Sequence, residues 1–594
     1  MWEYYDKTYG YICYRMAIWC QLFQYKTKFN RLLVSPMILK KKLIHRITLL
    51  AVVLMTAMSA KSQDFAIDPS QPVSVADVEV TAVNYAFIDN DSIHIVSPDK
   101  IRLARGPRRV SANELQWQGW AEAPSAKLYS YNYPSVDADG NRVTLSSLMA
   151  VPTKMVIDGV AAKPNNLIIG CHVTITSNYE CPTDYNQNGS FQSDVGMQIC
   201  YTRYDYIRQP CCLVIMPDYE GYGVSRNRAH PYLYQELTAR QVVDAVRYGL
   251  ALFNANVDND DGADLAQFED GWKSVCVGYS RGGSVALATH RFIEENGLSS
   301  ELHFAGSVCG DGPYDPVEHL RYYMQDNGET YDGSNKTLHE KETVSMPIVM
   351  PLILKGMCDR NPFMRQHKVS DYLSEKFLRT GVIDFINAKS LGKNDQYSTD
   401  RINESFRNMR KGGLEYLYTD ENGNTQKGKY SAEEMQSMLY REANDNVHGK
   451  LSEMLTQQAF SYFRSLSQGA TTPSGRGVME DLHRALASNS LVSGWKPTHR
   501  IGFYHSTYDT VVPYANLLSF IRNQNGLSYY FHDKDRSTAA GVNPSHIVGE
   551  GQADVYILDD DCNKDHVKGG EEFYFWGSPS PDYKLIKWVL EGKK

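Results

Sequence analysis

The chain lacks an apolar run long enough to cross a bilayer, a clustered cysteine pattern and, beyond its first 62 residues, any surplus of positive charge. The strongest apolar stretch, Ile47 to Ala60, holds fourteen apolar or small residues, short of the roughly 20 that a spanning helix needs. A stable membrane anchor is therefore not expected. Nine cysteines follow residue 62 (Cys171, Cys181, Cys200, Cys211, Cys212, Cys276, Cys309, Cys358 and Cys562). They are odd in number and show no repeated spacing, so no metal site is read from them. Residues 1–62 carry ten Lys or Arg and two Asp or Glu, and without them the formal charge falls from −8 to about −16. Such a surface repels nucleic acid and anionic lipid.

What is present at the N-terminus accounts for that asymmetry. Lys40, Lys41, Lys42 and Arg46 precede the apolar run, and Ala60 and Ser62 supply small residues around a cleavage point. This reads as a secretory signal peptide starting at Met37, with the 36 residues before it an over-extended translation start. The expected destination is the periplasm or the exterior. Cys181 with Cys171 or Cys200 is then a candidate disulfide, whereas Cys212, Cys276 and Cys309 sit in apolar runs and read as small buried hydrophobes.

With 594 residues the chain exceeds one ordinary core, which predicts a large domain with an insertion. After a signal-containing segment (1–62) and an N-terminal extension (63–125), Leu128 to Tyr133 and Val143 to Val151 flank an Asp- and Gly-rich turn at 137–140, a hairpin pattern. Short apolar runs follow at 166–171, 212–216, 274–277 and 304–309, the mark of parallel strands covered on both faces. Between them, Leu237, Val242, Ala245, Val246 and Leu250 recur at helical spacing. The fold class expected is α/β, with the core in two parts (126–314 and 491–594) and a mainly helical cap inserted at 315–490. Helices are predicted at 344–357, 369–391, 451–466 and 478–491, with a hairpin at 416–430. The sheet resumes at Arg500 to His505 and Ala553 to Leu558.

The chemistry concentrates at Gly278-Tyr279-Ser280-Arg281-Gly282-Gly283. A serine flanked at two residues on each side by glycine, after a strand and before a small-residue helix, fits a nucleophile elbow, where strand and helix approach too closely for a Cβ. A nucleophilic serine needs a base and an orienting carboxylate later in the chain. Asp509 follows the strand Arg500 to His505, at the sheet edge where such sites are built. His566 follows the next strand and is the expected base; His505 and His546 are the weaker alternatives. The catalytic set predicted is Ser280, Asp509 and His566. The expected oxyanion donors are the backbone N–H of Arg281 and one from the loop after 167–170, Val173 or Thr174. No cofactor or metal is required.

The elbow, Pro217-Asp218-Tyr219-Glu220-Gly221-Tyr222-Gly223, Ser506-Thr507-Tyr508-Asp509-Thr510-Val511-Val512-Pro513 and Asp565-His566 together resemble the secretory lipase family of α/β-hydrolases, over roughly residues 125–590. The resemblance implies an exported serine esterase or lipase acting on a small-molecule ester, with a helical cap over the acyl pocket. Two rivals share the fold. A prolyl-oligopeptidase-type peptidase needs a large propeller, for which only about 60 residues precede the hairpin, and a non-catalytic binder would be expected to lose one of the three residues. Asn256 to Asp264 resembles a calcium loop in composition but misses its ligand spacing. The methionine-rich run Met346 to Met357 reads as an apolar helix of the insertion.

Overall fold

A computed structural model of the chain describes residues 71–88, 93–97, 125–152, 156–157, 160–161, 163–184, 194–202, 211–255, 267–325, 341–389, 414–419, 422, 424–431, 433–434, 439–441, 447–468, 477–524, 527–531, 555–560, 566–574 and 580–592. These all fall in one compact unit, Ala66–Lys594. The signal segment, Asn256 to Asp264, His546 and Cys562 lie outside the described residues.

An eleven-stranded sheet runs through the unit. Its strands are β1 Glu79–Ile88, β2 Ile93–Val96, β3 Ala126–Val136, β4 Arg142–Pro152, β5 Asn166–Cys171, β6 Cys212–Pro217, β7 Lys273–Tyr279, β8 Phe304–Gly310, β9 Arg500–Ser506, β10 Tyr529–Phe531 and β11 Val555–Asp560. Their order is β10-β11-β9-β8-β7-β5-β6-β4-β3-β1-β2. Strands β5 to β11 pair in parallel, and β4 joins them antiparallel through β6. The hairpin β3–β4 keeps register from Ala126↔Pro152 to Val136↔Arg142. The central strands end level: Cys171 faces Gly278, Tyr279 faces Gly310, and Gly310 faces Tyr504. Residues just past that edge are thereby gathered in one place.

The apolar runs are continuous because both faces are covered. Successive side chains of a strand point to opposite faces, and the two cores divide accordingly. Leu167, Ile169, Leu213 and Ile215 join one apolar cluster, while Ile168, Val214 and Met216 join the other. The helices are α1 Asp194–Ile199, α2 Gln235–Asn254, α3 Arg281–Glu295, α4 Pro316–Tyr323, α5 Val349–Arg360, α6 Gln457–Ser467, α7 Val478–Ser488, α8 Ala515–Asn523, α9 His566–Phe573 and α10 Pro581–Glu591. Leu237, Val242, Ala245 and Val246 of α2 are buried as the spacing predicts. Helix α2 lies so close to β3 that Tyr131 Oη donates to the Ala245 carbonyl at 2.7 Å. On the other face, Leu585, Trp588 and Val589 of α10 pack with Val277, Val308 and Leu558.

Between β8 and β9, α4 to α7 build a separate apolar cluster that includes Leu320, Tyr323, Ile353, Met357, Phe463 and Leu482, and that takes in Val511 and Val512 after β9. Short strands Thr343–Ser345, Val447–Lys450 and Leu439–Arg441 form a three-stranded sheet, and Leu414–Thr419 pairs with Thr425–Tyr430 as a hairpin. The predicted helix at 344–357 begins instead with Val344 in a strand and turns helical at Val349. The stretch 369–391 is broken into Val369–Asp371, Glu375–Leu378 and Val382–Ala388, with Gly381 at a φ of 76°. None of the described helices is long and apolar enough to cross a membrane.

Three strands of the large sheet escaped the sequence reading. Strands β1 and β2 lie within 63–125, where β1 is mostly half-buried and so carries a weak apolar pattern; its pairing with β3 recruits it. Strand β10 has three residues. The eight described cysteines are buried free thiols, so Cys181 bonds to neither Cys171 nor Cys200.

Helix α3 is tied to the start of β9 by one carboxylate. Glu294 Oε1 accepts from Thr498 N at 2.9 Å, His499 N at 2.8 Å and Thr498 Oγ1 at 2.7 Å, with His499 Nδ1 at 2.7 Å and His290 Nε2 at 3.0 Å. Burial opposes its ionisation, but these donors, His290 foremost, outweigh burial and hold the carboxyl well below the usual range. A depressed carboxylate pKa stabilises the fold above the unfolded value of about 4.3 and ceases to do so as pH falls. Glu294→Gln is therefore expected to cost about 1–3 kcal/mol at pH 7, and the gap to the native protein should shrink below about pH 4. Urea unfolding at pH 7 and pH 3 checks this, and a gap independent of pH would refute it.

Candidate active site

Strand β7 delivers Ser280 at its C-terminal edge, one residue before α3. The residue adopts φ 56° and ψ −127°, a strained conformation for a residue with a Cβ. Two contacts enforce it. Ser280 N donates to the Gly310 carbonyl of β8 at 2.8 Å, and the Ser280 carbonyl accepts from Gly283 N at 2.9 Å. The backbones cross so closely that a Cβ on Gly278 would stand 2.3 Å from the Gly282 oxygen, and one on Gly282 would stand 2.1 Å from the Cys171 oxygen. The paired glycines thus answer a steric demand.

His566 opens α9 and is buried, with Nε2 2.7 Å from Ser280 Oγ. Its Nδ1 donates to Asp509 Oδ2. Asp509 is fixed in turn, because its Oδ1 accepts from Val511 N at 2.8 Å and Val512 N at 2.9 Å. Burial raises the Asp509 pKa above the ordinary carboxylate range, opposed by the imidazole of His566. One nitrogen of the ring thus faces a carboxylate and the other a hydroxyl, an arrangement able to draw the Ser280 proton onto the imidazole. The order Ser280, Asp509, His566 follows β7, β9 and β11 in a mostly parallel sheet with an antiparallel edge. This is the α/β-hydrolase fold.

No protein-family description matches the chain, and neither does any curated protein. Among solved structures it is similar to a rice cell wall degrading esterase from Xanthomonas oryzae, at 16% identity over 87% of this chain and 98% of that one, with a TM-score of 0.49. It is also similar to Candida antarctica lipase A, at 13% identity over 79% and 78% of the two chains, with a TM-score of 0.43. Both likenesses are distant. The fold assignment rests on strand order and the elbow.

The loop after β5 is anchored in a way that separates the two oxyanion candidates. Val173 N donates to Asp194 Oδ2 of α1 at 3.0 Å, so this amide is engaged away from the serine. Thr174 Oγ1 lies 2.7 Å from Tyr232 Oη. His172 stacks on Tyr219 with ring centroids 4.0 Å apart, and its Nδ1 donates to the Val173 carbonyl at 2.7 Å. Burial, and after it the charge of Arg281, push the His172 pKa down to about 3, so the ring is neutral at ordinary pH.

The segment 217–223 is the platform beneath that loop. Asp218 is buried and accepts from Ser146 Oγ and Thr183 Oγ1, each at 2.5 Å, while its carbonyl lies 3.2 Å from His172 Nε2. Tyr219 and Tyr232 sandwich the buried Arg281 guanidinium at 4.9 and 4.7 Å, and Arg281 Nη1 donates to His230 Nε2 at 2.6 Å. The side chain of Arg281 thus braces this layer, a role its position beside Ser280 did not reveal in the sequence.

His505, the alternative base, faces Asp311, with Nδ1 3.0 Å from Asp311 Oδ1. Asp311 itself was not anticipated. It follows β8 directly at the same sheet edge, and a carboxylate oxygen lies within 4.8 Å of side-chain polar atoms of both Asp509 and His566. An acidic residue just past a predicted strand, in Gly310-Asp311-Gly312, was the available signal.

Because backbone atoms meet the absent Cβ, Gly282→Ala is expected to destabilise the fold by about 1–3 kcal/mol and to displace Ser280. Chemical denaturation of the variant reads the first effect. An unchanged midpoint would refute the crowding argument.

Proposed function

We propose that the chain is a serine hydrolase of carboxylic esters, an esterase or lipase working through an acyl-enzyme. The observation that carries this reading is the hydrogen-bonded line from Asp509 through His566 to Ser280 Oγ, at a serine held in positive φ. As Ser280 Oγ attacks the ester carbonyl carbon, its proton passes to His566 Nε2, and Asp509 orients and stabilises the imidazolium. The tetrahedral oxyanion is held by the backbone N–H of Arg281 and that of Thr174, since Val173 is engaged with Asp194; each donor contributes roughly 3 kcal/mol. His566 returns the proton to the leaving alkoxide, which departs as the alcohol. Water then attacks the acyl-serine by the same route and releases the acid. The reaction draws on side chains, backbone donors and water alone.

Three further elements complete the proposal. The insertion between β8 and β9 serves as the cap over the acyl pocket, supported by its separate apolar cluster reaching Val511 and Val512 beside Asp509. The signal-like segment 37–62 supports export. The motifs around Ser280, Pro217, Asp509 and His566 support placement with the secretory lipases, on a small-molecule ester.

A fluorophosphonate probe is expected to label Ser280 of the purified protein, as located by peptide mass spectrometry. Ser280→Ala should lose the label, and His566→Ala should slow both labelling and ester hydrolysis by at least about 1,000-fold. A folded protein that takes no label would sink the reading.

A further inference from the structure

The three segments that carry Ser280, Asp509 and His566 share one side chain. Asp311 Oδ1 accepts from Ser506 N at 2.9 Å, three residues before Asp509. Its Oδ2 accepts from Tyr279 Oη at 2.6 Å, from the residue next to Ser280. The same Tyr279 hydroxyl lies 2.8 Å from the His566 carbonyl, and its ring centroid is 5.1 Å from the His566 ring. Asp311 N donates to the Tyr504 carbonyl at 3.0 Å, and the residue is fully buried at a φ of 34°. A buried carboxylate in a strained conformation at the confluence of three segments calls for a functional reason.

We infer that Asp311 is a positioning residue of the site, which aligns the segments bearing Ser280, Asp509 and His566 and, paired with His505, biases the protonation of His566. The inference rests on the hydrolase reading above. The groups facing Asp311 are Tyr279 from β7, Tyr314 from the loop after β8, His505 and Tyr504 from β9, Asp509 from the following loop and His566 from α9. Burial opposes ionisation of Asp311, but the imidazole of His505, then His566 and Tyr279, outweigh it and hold the carboxyl below its usual value. Burial likewise disfavours charge on His505, yet Asp311 raises its pKa. Among the described residues His505 Nε2 has no hydrogen-bond partner, whereas Nδ1 faces both Asp311 Oδ1 and the Ser506 carbonyl at 3.0 Å, which hold a proton on that nitrogen. A negative carboxylate near His566 favours its charged form, and a proton gained by His505 moderates this.

The two charges therefore predict opposite shifts. With the full-length protein, the rate of fluorophosphonate labelling at Ser280 is measured against pH, and the acid limb reports the protonation of His566. Asp311→Asn removes the nearer negative charge and is expected to move that limb down by about one pH unit. His505→Gln leaves Asp311 uncompensated and moves it up by a similar amount. Tyr279→Phe keeps both charges, lowers the plateau and leaves the limb in place. A merely structural role would lower plateaus without these opposed displacements. Should Asp311→Asn fail to fold by circular dichroism, the upward shift in His505→Gln decides alone. Limbs that superimpose on the native protein, or that move in one direction in both variants, overturn the inference while a labelled native Ser280 leaves the hydrolase reading standing. A native protein that takes no label refutes both.

Discussion

Everything at the site depends on three backbones being allowed to touch. The carbonyl of Cys171 ends β5, Gly278 stands two residues before the serine and Gly282 lies in the first turn of α3, and none of them leaves space for a side-chain carbon where they meet. This contact sets the end of β5 against the first turn of α3. The positive φ of Ser280 is its consequence, because a serine pinned between the Gly310 carbonyl and Gly283 N has no relaxed alternative. The strain is borne by the sheet, whose parallel strands on either side keep their registers up to the edge.

A second layer works through polar groups taken out of water. Asp509, Asp311, His505 and His566 are buried together, and so are Asp218 and Arg281 beneath the neighbouring loop. Buried charges are tolerated only when paired or hydrogen-bonded. Asp509 draws on two backbone N–H groups and an imidazole, Asp218 on two hydroxyls and the Thr183 amide, and Arg281 on two tyrosine faces and a histidine nitrogen. Geometry is held stiffly in such an arrangement, since moving any one group strands another. The price is sensitivity, and replacing one partner is felt by several segments at once.

Much of this was legible in the sequence, and the reasons differ by element. The parallel strands announce themselves because burial on both faces forces uninterrupted apolar runs. Ser280 is legible because its flanking glycines are demanded sterically, and Asp509 and His566 because strand ends indicate where to look. Strand β1 stayed hidden because only two of its ten residues are buried, which dilutes the pattern, and its pairing with β3 joins residues 40 to 53 positions apart. Val173 was indistinguishable from Thr174, since the donor that Asp194 captures is decided by a helix that begins 21 residues later. Asp311 and the side chain of Arg281 were hidden for a similar reason. Their roles arise from neighbours remote in sequence, Ser506 and Tyr219 among them, and no local spacing encodes those meetings.

The eight buried thiols have a consequence for the life of the protein outside the cell, if export is its fate. None forms a disulfide, and burial pushes the pKa upward at seven of them, for Cys211 and Cys309 to about 12. A thiol in that state is neither nucleophilic nor open to an oxidant. Cys171 and Cys309 lie in the strands on either side of β7, and Cys276 lies within it, so oxidants reach them only when the sheet itself opens. Redox endurance and mechanical endurance are then one property, and each opening of the sheet risks a wrong cross-link that would make the loss permanent.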